Sequence, residues 1–230
     1  MRIRILFAKT EAMRFTGHLD LHKAWERTFR RAGLPLAYTQ GFSPHPRLNL
    51  ASALPLGFTG EAEVLDAWLE NELPVAFIQD KLSQASPPGL TIRQVSQVEN
   101  HLPALQAELA ANEYVITLLE HHPALAERLS TLMSAREIPR QRRGKPYNLR
   151  PLILELQVME PEPAGLQRIY ARLAALDSAT GRPEEVLAAL DYPVEAARFH
   201  RTGLIFRDQS ILPTHQKAQQ PSIHEVSQQE

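Results

Sequence analysis

The chain has 230 residues, 43% of them hydrophobic, with 25 Lys and Arg against 26 Asp and Glu and a formal net charge of −1. That length and composition suit a globular protein with one large core or two small ones, and the balanced total argues against wholesale coating of nucleic acid. The absence of cysteine excludes disulfides, thiolate zinc sites, iron–sulfur ligation and cysteine nucleophiles on this chain.

The apolar run in MRIRILFAKTEAM is too short for a signal-peptide core, and nowhere do about eighteen apolar residues run together, so a cytoplasmic location and no membrane partner are expected. The balanced total also hides an uneven distribution: residues 1–47 carry +6, residues 48–135 carry −8, residues 136–150 carry +5 and residues 151–230 carry −4. Two separate basic segments in a neutral chain are candidate contact surfaces rather than plain solvated faces.

Taken in chain order, RIRILFA at residues 2–8 puts Ile3, Ile5 and Phe7 on one side and reads as a strand. Over residues 17–32, Leu21, Ala24, Trp25, Thr28, Phe29 and Ala32 recur at steps of three and four. A helix is therefore predicted, with Asp20 near its start where a carboxylate suits the dipole, and with Gly33 and Pro35 closing it. Lys23, Arg27, Arg30 and Arg31 return to nearly one azimuth on another face of that helix. LPLAY begins a second strand and runs into YTQGFSPHPRLN, residues 38–49, a segment too rigid for a loose linker and too polar for a core strand. It is either a turn between strands or a stiff platform presenting Tyr38, Phe42, His45 and Arg47. LNLASALPLG and EAEVLDAWLE read as strands around a turn at residues 57–60, with Pro55 marking an edge or bulge. PVAFIQDKLSQAS follows as a helix behind a first-turn proline, and GLTIRQVSQVEN as a strand. The order βαββαβ over residues 1–99 predicts a ferredoxin-like sheet with two helices on one face.

The second half repeats that order without any residue-level repeat. EYVITLL reads as a strand, PALAERLSTLMSA as a helix, REIPRQRR and LRPLILELQV as strands around Gly144 and Lys145, GLQRIYARLAALD and PEEVLAALDY as helices, and VEAARFHRTGLIFR as the last strand. The expected fold is α+β, with two ferredoxin-like βαββαβ domains in tandem at residues 1–100 and 113–208. A linker at 101–112 with room for a helix joins them, and a disordered tail at 209–230, too polar to bury anything, follows.

Residues 14–57, RFTGHLDLHKAWERTFRRAGLPLAYTQGFSPHPRLNLASALPLG, resemble the radical-SAM-linked family of unknown function, whose members are fused to, or encoded beside, a B12-binding radical SAM protein. The resemblance rests on Gly17-His18-Leu19-Asp20, Arg30-Arg31-Ala32-Gly33-Leu34-Pro35, Gly41-Phe42-Ser43-Pro44-His45-Pro46-Arg47 and Leu54-Pro55-Leu56-Gly57. It continues weakly through Tyr147-Asn148-Leu149-Arg150-Pro151-Leu152 to about residue 207, and His22 lies outside the pattern. It implies an association with such an enzyme and brings no established activity.

The chemistry of these residues leaves several readings open. His18 and His22, four apart, could share a helix face as metal ligands, but no third donor accompanies them and no metal is expected. His18 and His45 could act as an acid–base pair on RNA, as in ferredoxin-like CRISPR repeat-processing endonucleases, although the glycine-rich C-terminal loop of those enzymes is missing. Asp20 could serve a pseudouridine-synthase-like protein with two ferredoxin-like halves, although its HLD surroundings do not match. A simpler role for His18 and Asp20 is to tie the helix start to the neighbouring loop by hydrogen bonds. His18, Asp20 and His45 are thus the catalytic candidates, and a protein without catalysis of its own is the main expectation.

The expected function is an accessory subunit presenting RNA or a ribonucleoprotein to a separate radical SAM enzyme. Lys23, Arg27, Arg30, Arg31, Tyr38, Phe42, Arg47, Arg140, Arg142, Arg143 and Lys145 would supply phosphate and stacking contacts. The cluster that cleaves S-adenosylmethionine needs three thiolates, so this chain carries no cofactor; a B12-binding partner would bring the iron–sulfur cluster, S-adenosylmethionine and cobalamin. The alternative from another class is a protein–protein adaptor whose basic surface meets an acidic patch of that partner. For the loop itself the competing reading is packing, in which Phe42 caps the core and Arg47 pairs with an acid of EAEVLDAWLE.

Overall fold

Strict alternation builds the first strand, β1 (Arg2–Lys9), in which all eight residues are buried: Ile3, Ile5 and Phe7 enter one core, and Leu6 joins a second. The computed structural model describes residues 1–142, 144–176 and 179–208. Helix α1 (His18–Arg31) follows the predicted stripe, burying Leu21, Trp25, Thr28 and Phe29, and its Trp25 meets Phe7 edge-on with centroids 4.9 Å apart. The helix stops where Gly33 adopts a φ of +67°, which lets the Gly33 and Leu34 N–H groups donate back to Arg30 and Phe29. Strands β2 (Leu48–Leu50) and β3 (Phe58–Trp68), helix α2 (Val75–Ala85) and strand β4 (Leu90–Val98) complete the first half.

The second half runs through a single-turn helix α3 (Leu105–Glu108), β5 (Leu109–Leu118), α4 (Leu125–Ser134), β6 (Pro139–Arg142), β7 (Lys145–Asn148), β8 (Ile153–Met159), β9 (Arg168–Ala174), α5 (Pro183–Ala189) and β10 (Ala197–Phe206). The strands form one mixed eight-stranded sheet in the order β4-β1-β3-β10-β5-β9-β8, with β2 beside β3, and β6 and β7 pair apart as a two-stranded hairpin. The halves meet where β3 and β10 run parallel over three residue pairs, Phe58 with Phe199, Thr59 with His200 and Gly60 with Arg201. The fold is therefore α+β on a single shared sheet.

Several elements depart from the sequence reading. LPLAY makes only isolated bridges, Leu36 to Leu69 and Tyr38 to Pro46; the second strand starts ten residues on at Leu48, because Pro44 and Pro46 lack the N–H groups a ladder needs. Gly60 lies inside β3 rather than in a turn. The largest departure is GLQRIYARLAALD, expected as a helix and found as β9: Ile169, Ala171 and Leu173 are fully buried at a period of two, and pairing with β5 on one edge and β8 on the other overrides the helix propensity of Leu, Ala and Arg. The expected linker already contains the start of β5 at Leu109, and REIPRQRR stands off the main sheet in its hairpin. The expected tail at 209–230 lies outside the described residues. Among the described residues no helix is long and apolar enough to cross a membrane.

Charge is also buried in the first half. Asp66 on β3 accepts from Arg2 through Nε at 3.1 Å and Nη2 at 2.6 Å, and from Arg4 through Nε at 2.8 Å and Nη2 at 2.9 Å. Arg2 donates onward to the carbonyls of Leu102 and Pro103 and so staples the crossover between the halves onto the sheet. Asp66→Asn removes the carboxylate that Arg2 and Arg4 share and leaves the buried Arg2 without its ion-pair partner, and is expected to cost about 3–5 kcal/mol in urea unfolding; a loss under 1 kcal/mol would contradict this account.

Candidate functional site

The seam between the halves gathers polar groups that an apolar sheet does not need. On β10 the inward positions run Ala197, Phe199, Arg201; Phe199 stacks on Phe58 at 4.7 Å, and Arg201 follows as a fully buried cation. Its Nε donates to Glu63 Oε1 at 2.7 Å, and its Nη2 makes a short ion pair with the other oxygen of the same carboxylate. Gly60 makes this possible, since a Cβ there would collide with the Glu63 carboxylate. The remaining Arg201 donors reach Ser52 Oγ at 3.0 Å and the carbonyls of Ala53 at 3.1 Å and Ser52 at 3.3 Å. The Tyr114 hydroxyl faces the same guanidinium.

Lys9 lies beside this pair, its Nζ donating to the carbonyls of Phe58 at 2.9 Å and Arg14 at 3.3 Å. Burial lowers its pKa to about 8; the Glu63 carboxylate opposes that shift and the Arg201 charge adds to it. Arg14 in turn locks two motif segments together: its carbonyl accepts from Gly57 N–H at 2.9 Å and its Nε donates to Gly57 O at 3.0 Å. The stretch carrying Gly17-His18-Leu19-Asp20 and the stretch Leu54-Pro55-Leu56-Gly57 therefore converge over the Glu63–Arg201 pair.

His18 opens α1 at this point, half-buried, with its Nδ1 out of solvent and without a hydrogen-bond partner. Burial first, then the charges of His22 and Arg201, lower its pKa from the ordinary 6.5 and favour the neutral ring. The expectation that His18 ties the helix start to the loop is thus corrected: the N-cap is Gly17, without a side-chain cap, and the imidazole keeps Nδ1 buried and unused. Asp20 is exposed in the first turn. Phe15 and Leu19, close to His18 in the chain, are 76% and 75% exposed, and Leu56, beside the Gly57 that Arg14 holds, is 62% exposed. A neutral imidazole, a fixed cation behind it and an apolar rim form a surface suited to a flat, partly apolar ligand edge.

The loop at residues 38–47 decides the choice left open above. It is braced from within: Thr39 N–H donates to His45 O at 2.8 Å, His45 N–H to Thr39 Oγ1 at 3.0 Å, and Arg47 N–H to Ala37 O at 2.8 Å. Phe42 does not cap the core; it is fully exposed at the tip, with Tyr38 half-exposed at the base. Nor does Arg47 pair with an acid of β3: Asp66 is occupied by Arg2 and Arg4, and Arg47 lies over the Trp68 ring at 4.6 Å. His45 is exposed on the loop.

Lys23, Arg27 and Arg30 are exposed on the outer face of α1, whereas Arg31 turns toward α2 and donates to Ala85 O at 2.7 Å and 3.1 Å. His22 reaches Leu48 O at 3.4 Å, so the middle of α1 lies against the loop's exit. Arg140, Arg142 and Lys145 sit on the β6–β7 hairpin, away from α1, and Arg143 lies outside the described residues. Among the described residues no cluster of three metal-ligating side chains occurs. The sequence reading missed Lys9, Glu63, Tyr114 and Arg201; a charged residue at an inward phase of an apolar strand, as in AARFHRTGLIF, was the available signal.

Fold and site together define an α+β protein with one mixed sheet and a polar seam roofed by the motif loops. The chain belongs to the family described as an uncharacterized protein conserved in bacteria, DUF2344, whose model matches residues 2–183. No curated protein sequence matches it. Among solved structures it is similar to a chain of a Cbf5–Nop10–Gar1 complex, with 13% identity, a TM-score of 0.47, and coverage of 93% of this chain and 52% of that one. It is also similar to a chain of the archaeal box H/ACA sRNP Nop10–Cbf5 complex, with 14% identity, a TM-score of 0.39, and coverage of 80% and 43%. The chain thus spans about half the length of the chains it matches.

Two titrations check the seam. The His18 ring resonances in NMR are expected to titrate below pH 6.5, and an ordinary or raised midpoint would contradict a buried, cation-flanked ring. Lys9 is charged in both folded and unfolded chains below about pH 8, so its desolvation penalty is fully present there; between about 8 and 10.5 the unfolded chain binds more protons, and the folded state gains stability as pH rises. Measured against Lys9→Met, the wild type should therefore gain relative stability across that interval, and a flat difference would refute the shift.

Proposed function

We propose that this protein is an accessory subunit that binds RNA, or the RNA of a ribonucleoprotein, and presents it to a separate radical SAM enzyme. The observation that carries the reading is the loop at residues 38–47: a proline-braced, internally hydrogen-bonded turn that holds a wholly exposed Phe42 in water, with Tyr38 and Arg47 behind it. Exposing an aromatic ring costs about 1.5–3 kcal/mol relative to burying it, and rigid exposed rings are what unstacked bases pack against. Lys23, Arg27 and Arg30 lie on the neighbouring helix, where phosphates following a stacked base can be met. We read residues 1–100 and 113–208 as two ferredoxin-like domains that share a sheet, with the presentation surface on the first.

The enzyme partner follows from the resemblance of residues 14–57 and from the cysteine-free sequence, which leaves any cluster, S-adenosylmethionine and cobalamin to the other protein. The apolar rim of Phe15, Leu19 and Leu56 favours a protein contact as well, and it is the surface we assign to docking that enzyme. If RNA plays no part, the same rim supports the adaptor reading.

Binding of the full chain to single-stranded RNA should weaken steeply with salt, and each of Lys23→Ala, Arg27→Ala and Arg30→Ala should reduce the log–log salt slope by about 0.7. Phe42→Ala should weaken binding by about 1–3 kcal/mol with the slope unchanged, since stacking releases no counterion. Absence of binding at low salt, or an unaltered affinity in Phe42→Ala, overturns the RNA reading. Leu19→Asp, in contrast, is expected to abolish co-purification with the radical SAM protein while leaving RNA binding intact.

A further inference from the structure

A second concavity lies in the other half of the molecule, where the β6–β7 hairpin folds toward the start of α5. It has a volume of about 460 Å³ and is lined by Arg142, Lys145, Pro146, Tyr147, Leu152 and Arg182, with Ala179 beside them. That volume is in the range that holds a single small organic ligand. The lining divides in two: three cations on the rim, and an apolar floor in which Tyr147 is the aromatic member, itself packed against the main core of this half.

The groups behind the rim are under-used. Arg140 Nε, Glu184 Oε2 and Glu185 Oε2 are all out of solvent and have no hydrogen-bond partner. Burial raises the pKa of Glu184, opposed by its own backbone N–H and by Arg142; burial likewise raises that of Glu185, opposed by Arg142 and Arg140. None of the three lines the groove, so they form a partly buried layer of mixed charge next to Arg142 and make no demand on its ligand. A ligand for the groove must offer negative charge to the three cations and a flat apolar face to Tyr147. Inorganic phosphate meets only the first demand and a plain hydrocarbon ring only the second. A nucleotide meets both.

We propose that this groove binds one nucleotide unit, its phosphate among Arg142, Lys145 and Arg182 and its base against Tyr147. The inference deepens the RNA reading, since the nucleotide can be one residue of the presented RNA, but it rests on a different half of the chain from the Phe42 loop.

The test is calorimetric titration of the full chain with guanosine 5′-monophosphate, guanosine and inorganic phosphate as separate probes. The monophosphate should bind at least about tenfold more tightly than either of the other two, as expected when charge-assisted hydrogen bonds and stacking act together. Arg142→Gln, at a half-buried position, and Arg182→Gln, at an exposed one, should each weaken the monophosphate about tenfold and leave guanosine unchanged. Tyr147→Ala should weaken both; because Tyr147 also packs on the core, Tyr147→Phe serves as control and should restore binding of both. Equal affinity for monophosphate and phosphate, or wild-type affinity in the Arg142→Gln/Arg182→Gln variant, overturns the proposal. The two readings fail separately: RNA bound through Phe42 with no monophosphate binding removes the groove alone, and monophosphate binding without RNA binding removes the presenting subunit alone.

Discussion

The contact on which the rest of the molecule depends is the buried pair between Arg201 of β10 and Glu63 of β3. The two halves of the sheet share only three parallel residue pairs, a short ladder with slanted hydrogen bonds that would hold weakly alone. Burying both charges carries a large desolvation penalty, which the bidentate geometry and the contacts from Arg201 to Ser52 and Ala53 offset. What the pair supplies beyond apolar packing is position. It fixes which residue of β10 lies beside which residue of β3, and it ties the segment after β2 down over the seam.

That tie determines what reaches the surface. Between residues 52 and 53, held by Arg201, and Gly57, held by Arg14, Leu54 turns into the core while Leu56 stays exposed. The start of α1 is caught in the same junction, which leaves His18 half-covered above Lys9 and the ion pair. The proline-braced loop is a separate device, anchored by the stacking of Arg47 on Trp68 and by its own backbone hydrogen bonds.

Charge counted along the chain and charge presented to solvent are different quantities here. Residues 1–47 carry +6, yet Arg2, Arg4 and Lys9 are in the interior, neutralised by Asp66 or placed beside Glu63. Arg31 is occupied with Ala85. The outer face of α1 is left with Lys23, Arg27 and Arg30, a narrower stripe than the count suggests. In the second basic segment, the charge of Arg142 favours ionisation of the part-buried Glu184 and Glu185, and that of Arg140 favours ionisation of Glu185, so the cations there lie near two carboxylates.

The sequence by itself determined the elements whose pattern is local: the apolar stripe and glycine stop of α1, the alternation of β1, the βαββαβ order of the first half, and the rigidity of the loop around Phe42. It also determined which residues belong to the motifs, because their glycines free the backbone and their prolines restrict it wherever they fall. Only the tertiary structure decided that residues 168–174 form a strand, since their neighbours β5 and β8 lie far away in the chain and supply the hydrogen bonds that their helix-prone composition does not predict. It alone decided that two halves share one sheet, and that Lys9, Glu63, Tyr114 and Arg201, up to 192 positions apart, meet at the seam. A long-range ion pair leaves no periodic trace: each member reads on its own as one charged residue in a strand, and its meaning appears only when the partner strand sets the register.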